Sequence, residues 1–176
     1  LHYAVEPTKE KGGKEFLDWI GGCFETDWSV NPTWRPQFQP LPTHAITRGV
    51  SAPNLNDEWY FHMRFRDGMK GVQPILQAVA PASTMNRPDG PHEGNPTVRE
   101  EVKRGEPQIV AWACERPDGG RGFGFTGGHF QGNWGNDDFR KLVLNAILWT
   151  AKVEVPASGV ECKVTAEDLR RNLDKK

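Results

Sequence analysis

The stretch from Asn136 to Thr150 constrains this chain more than any other part of it. Asn136 can cap a helix that opens on Asp137 and Asp138, which places negative charge at the positive end of the helix dipole. Phe139, Leu142, Val143, Ala146, Ile147 and Thr150 recur at helical spacing, and Leu144, Leu148 and Trp149 make the other faces apolar as well. A helix that is apolar on most sides is buried on most sides, so the rest of the chain must wrap it.

Around that helix the sequence reads as short strands and long loops. Gln108–Cys114 and Arg121–Thr126 are predicted strands joined through Pro117, Asp118, Gly119 and Gly120, a strong turn signal. Gly71–Ala80 and Asp57–Phe65 read as two more, the second from the partial alternation of Trp59, Phe61, Met63 and Phe65. Leu1–Val5 reads as the end of a strand, and Lys14–Phe24 as a short helix weakened by Gly21 and Gly22. Pro32, Pro36, Pro40 and Pro42 confine any strand at Trp34–Gln39 to an edge. Residues 81–107 form a long polar excursion, broken by Pro and Gly, of the kind that is more often functional or mobile than idle. After Pro156, Thr165 and Asp168 mark the cap of a short polar helix. Residues 1–156 are therefore expected as one domain and 157–176 as a polar tail or linker.

Composition removes several classes of partner. Lys and Arg total 22 against 23 Asp and Glu, without clustering on any long segment, so neither nucleic acid nor an anionic membrane is expected. The longest apolar run, Leu142–Trp149, is broken by Asn145 and is too short to span a bilayer. The opening Leu1-His2-Tyr3-Ala4-Val5 reads as the inside of a domain, so the visible sequence fixes no compartment. Cys23, Cys114 and Cys162 have neither disulfide nor zinc-site spacing.

Gly122, Gly124 and Gly127 match the dinucleotide fingerprint by letters, but Phe123 and Phe125 make the motif itself a strand and no helix opens behind it. Thr126-Gly127-Gly128-His129 carries more chemistry, because glycines after a strand let the chain turn sharply and bring a histidine to a strand end. Asp57 and Glu58 stand at a predicted strand start, where alternation sends them to opposite faces, so one of them is expected in any given cleft. His44, His62 and His92 have no metal-ligand spacing and read as structural. Trp28, Trp34 and Trp134 could stack on a sugar or simply fill a core.

Taken in order, Leu1-His2-Tyr3-Ala4, Asp18-Trp19-Ile20-Gly21-Gly22, His44–Gly49, Asp57-Glu58-Trp59-Tyr60, Gly120–Gly124, Gly127-Gly128-His129 and Asn145–Trp149 resemble ThuA-like (trehalose utilisation) proteins over residues 1 to about 156. The family is similar in fold to class I glutamine amidotransferases: α/β, a flavodoxin-like sheet with flanking helices. The resemblance implies that the N-terminal strand–helix units of that fold are lacking ahead of Leu1, so a partly covered sheet is expected, patched by loops or by a second copy of the chain as a homodimer.

The resemblance also implies a site. His2 stands about where the amidotransferases carry their cysteine nucleophile, and His129 matches their catalytic histidine, whose acidic partner is Gln131 here. Cysteine-based amide hydrolysis is therefore not expected. The chain departs from the ThuA-like pattern at Ala45 and at Gln131-Gly132. The implied function is an enzyme acting on a carbohydrate or related small polar molecule, with His2, His129 and Glu58 catalytic. Asp57, Tyr60, Asn133 and Trp134 are the expected substrate contacts. A non-catalytic sugar-binding module and a metal-assisted hydrolase of esters or lactones are the alternatives. No cofactor is assigned. A divalent metal ion would suit the two imidazoles and the carboxylate, but a metal-free site is favoured because neither histidine lies in a metal motif.

Overall fold

The computed structural model describes residues 1–171; the end of the basic tail, Lys175 and Lys176, lies outside the described residues. Its elements in chain order are helix α1 (Gly13–Trp19), strands β1 (Gly22–Cys23), β2 (Thr33–Trp34), β3 (Asp57–Glu58), β4 (Arg64–Phe65) and β5 (Val72–Val79), helix α2 (Pro96–Lys103), strands β6 (Pro107–Glu115) and β7 (Arg121–Phe125), and helix α3 (Asp137–Thr150). The chain is thus mixed α/β, consistent with the expected flavodoxin-like class.

β5, β6 and β7 form one sheet in that order, and β1–β4 and β2–β3 form two small ribbons. All these pairings are antiparallel, whereas a doubly wound flavodoxin-like sheet is built mainly of parallel strands. Along β6, Ala111 and Ala113 face one side of the sheet and Trp112 the other. The first side joins the main core with Leu76, Phe125, Phe139, Leu142 and Trp149. The second is covered from loops by Val5, Phe24, Tyr60 and Met63. No described helix is long and apolar enough to cross a membrane.

α3 is capped as its sequence requires, with the Asn136 side chain accepting the Phe139 amide at 2.9 Å. Within it Asn145 is fully buried and donates to the carbonyls of Ile46 (2.9 Å) and Arg48 (3.0 Å) while accepting the Val160 amide (2.8 Å). These bonds pin both the 46–48 segment and the chain beyond Pro156 to the helix. In the tail, Thr165 and Asp168 make the expected reciprocal cap, with a single 3-10 turn behind it.

Three elements differ from the sequence reading. Leu1–Val5 is not a strand; His2–Val5 forms a 3-10 turn. The first helix ends at Trp19, because Gly21 takes a left-handed φ of 79° and a Cβ there would lie 2.6 Å from Val72. The long strand over 57–65 is broken into β3 and β4, since His62 turns the backbone at φ 55°. Within the 81–107 excursion, α2 is capped by Asn95, whose side chain accepts the Val98 amide.

Candidate functional site

The site is built on the turn that follows β7. Gly127 lies against the Trp59 ring, where a Cβ would approach within 2.5 Å, and Gly128 adopts φ 110°, open in practice only to glycine. This sharp turn presents consecutive amides to one side. The Asp57 carboxylate fills that concavity, accepting from Gly128 (2.8 Å), His129 (3.1 Å) and Phe130 (3.3 Å). It also accepts from the Glu58 amide at 2.8 Å and from Asn133 Nδ2 at 3.0 Å. A fully buried carboxylate is tolerable only when bonded this completely.

β3 then sends Glu58 the other way, as alternation demands. Glu58 Oε2 lies 3.0 Å from His129 Nδ1 and 3.5 Å from His2 Nε2, and the two imidazole nitrogens are 3.2 Å apart. The other Glu58 oxygen accepts from Asn31 Nδ2 at 3.3 Å. The Tyr60 hydroxyl completes the cluster, 3.1 Å from His2 Nε2. Burial, then the neighbouring Glu58 carboxylate, pushes the Tyr60 phenol well above the ordinary tyrosine range, which keeps it neutral.

His2 is held in one orientation. Its Nδ1 sits 2.9 Å from the Thr126 carbonyl oxygen. A carbonyl only accepts, so Nδ1 carries the proton, and Nε2 of the neutral ring turns a lone pair into the cluster. Its backbone is left-handed at φ 50°, an uncommon state for a non-glycine residue that the surrounding bonds must stabilise.

The cluster borders a polar cleft of about 800 Å³, which Glu58 and Tyr60 line together with Asn31, Arg87, His92 and Glu93. Arg87 bridges Glu93 (2.5 Å) and Asn31 (3.0 Å), and His92 pairs with Glu6 at 2.8 Å. A second cleft, about 1010 Å³, opens between the 7–15 segment and Arg64 and contains none of the cluster residues.

The structure therefore brings His2, Glu58, His129 and Tyr60 together. It places Asp57, Asn133 and Trp134 elsewhere than in the cleft: Asp57 and Asn133 tie down the turn, and Trp134 packs edge-on against Phe139. Sequence reasoning missed Asn31, Arg87, Glu6 and the Thr126 carbonyl. It set His92 aside as structural, and His92 lines the cleft. A proline-rich loop and a backbone carbonyl carry no motif by which they could have been found.

The fold and this site define a mixed α/β protein with two histidines and a glutamate converging beside a polar cleft. A family model described as trehalose utilisation, ThuA, matches residues 1–150, and the chain belongs to that family. No curated protein and no solved structure matches it.

Proposed function

We propose that this chain is an enzyme acting on a carbohydrate or a related small polar molecule, with the His2–Glu58–His129 cluster as its reactive centre and no cysteine nucleophile. The observation that carries this reading is the convergence of the three groups to 3.0–3.5 Å beside a cleft rich in hydrogen-bonding side chains. Hydroxyl-rich ligands need convergent donors and acceptors, which Asn31, Ser83, Asn86 and Arg87 offer. Glu58 can accept a proton from a ligand hydroxyl, and Tyr60, kept neutral, can donate one.

The test is turnover of a panel of mono- and disaccharides, trehalose among them, with sugar lactones and esters, read by proton NMR. Turnover that falls at least about a hundredfold in Glu58→Gln and His129→Ala, with far-UV circular dichroism unchanged, supports the reading. Saturable sugar binding without turnover would replace it with a non-catalytic sugar-binding module. Turnover unaffected by either substitution would remove the cluster from the chemistry.

A further inference from the structure

We propose that His2 Nε2, His129 Nδ1 and Glu58 Oε2 form a three-ligand site for one divalent transition-metal ion of the zinc type, with a coordination position left open. The three atoms lie within 4.8 Å of one another, the tightest arrangement of such groups among the described residues. Their separations of 3.2, 3.0 and 3.5 Å are the separations of ligands that share an ion. Bonds of about 2.1 Å set adjacent ligands about 3.0 Å apart at right angles and about 3.4 Å apart in a tetrahedron. An ion can be seated on this triangle with shifts of tenths of an ångström.

Three further observations point the same way. The Thr126 carbonyl fixes the proton of His2 on Nδ1, which leaves Nε2 as the ligating lone pair; ligating histidines are usually oriented by such a bond. Asn31 holds the second oxygen of Glu58 and so orients the first, as an outer partner of a ligating carboxylate does. Third, the protons at the triangle can give way to an ion. Without one, the Tyr60 hydroxyl donates to His2 Nε2 and His129 Nδ1–H serves Glu58 Oε2, and an ion at Nε2 would take the place of the phenol proton. His129 is half exposed, so its proton can move to the solvent-side nitrogen and free Nδ1 to ligate.

The donor set selects the ion. Two imidazoles and one carboxylate suit zinc and its first-row neighbours, whereas magnesium and calcium prefer oxygen alone. Three protein ligands also leave room for water or substrate, the pattern of a catalytic rather than a structural zinc site. The ligands are separated by 56 and 71 residues in the chain (58 − 2 and 129 − 58), so no short motif could announce them.

Metal binding is read without turnover, so this inference and the enzymatic reading can fail separately. The full chain, stripped with a strong chelator, is titrated with zinc by calorimetry and with cobalt(II) by visible absorption. The expected result is one ion per chain, with affinity falling at least a hundredfold in His129→Ala and in Glu58→Gln, and about 10–100-fold in Asn31→Ala. His44→Gln, which alters a histidine outside the cluster, should bind as the unmodified chain does. Retained circular dichroism separates loss of the site from loss of the fold. No zinc or cobalt binding, equal affinity for magnesium, or unchanged affinity in both His129→Ala and Glu58→Gln would overturn the proposal.

Discussion

Asp57 holds His129 in place without touching its ring: the buried Asp57 carboxylate accepts the His129 amide at 3.1 Å, with the Gly128 and Phe130 amides beside it. The His129 imidazole and the carboxylate that anchors its backbone are therefore linked through the main chain, while the adjacent Glu58 meets the imidazole directly.

This division of labour makes Asp57→Ala costly to both fold and site. The substitution leaves several part-buried donors without their acceptor, each costing up to about 1–3 kcal/mol. A loss of roughly 3–5 kcal/mol in urea unfolding is expected, of the size found when one partner of a buried charged network is removed. Amide resonances of residues 126–130 should shift most in an NMR comparison. A variant as stable as the parent, with those resonances unmoved, would deny Asp57 its anchoring role.

Part of this was legible in the sequence, and the residues show why the rest was not. The cap and apolar spacing of α3 and the turn between β6 and β7 are local signals, and both elements formed where they were read. Alternation at Asp57 and Glu58 correctly sent the two carboxylates to different tasks. The strand over 57–65 failed because His62 adopts a left-handed backbone while its ring stacks on Trp28, a tertiary demand with no sequence signature. His2 and His129 met as expected, although the segment holding His2 is a 3-10 turn and not a strand. The cleft side chains Asn31 and Arg87 come from loops whose composition says only that they are loops.

His44 should give the protein an acid-side sensitivity. Its Nδ1 accepts the Ile46 amide at 3.1 Å, which requires the neutral ring. Burial lowers its pKa, with the Arg121 and Arg48 charges reinforcing and Glu115 opposing. A depressed folded-state pKa means that the unfolded chain binds more protons, so this contribution is present above the ordinary histidine value of about 6.5 and is lost as pH falls through the lower folded value. Unfolding midpoints measured from pH 7.5 to 4.5 should decline less steeply in His44→Gln. Parallel curves would remove His44 as the cause.

The cysteines should be bystanders. Burial pushes the Cys23 thiol up to about 11, aided by Glu25, and burial raises Cys114 as well. Both are buried, while Cys162 is exposed. Iodoacetamide at pH 7 should therefore label the native chain at Cys162 alone, by intact mass, without affecting turnover or metal binding. Fast labelling of Cys23 accompanied by inactivation would restore a thiol to the chemistry.

Tyr60 offers the sharpest test of how the cluster handles protons. Its hydroxyl faces the lone pair of His2 Nε2 at 3.1 Å, so the phenol is the donor in that bond. Burial raises its pKa first, and the Glu58 carboxylate adds to the effect. A raised folded-state pKa means that the native chain retains the proton longer than the unfolded one. This contribution to stability is complete below about pH 10 and is lost as pH rises towards the folded value. Tyr60→Phe keeps the ring in its edge-on contact with Phe24, at 5.3 Å between centroids, and removes only the hydroxyl. Stability at pH 7 should change by about 1 kcal/mol, the ordinary worth of one hydrogen bond. Turnover should fall about a hundredfold if the phenol donates to the reacting group. Urea midpoints between pH 9 and pH 11 should decline less in the variant, and absorbance at 295 nm should lose its late-titrating step. A Tyr60→Phe variant with the parent's alkaline stability profile and full turnover would show that the hydroxyl serves neither the fold nor the chemistry.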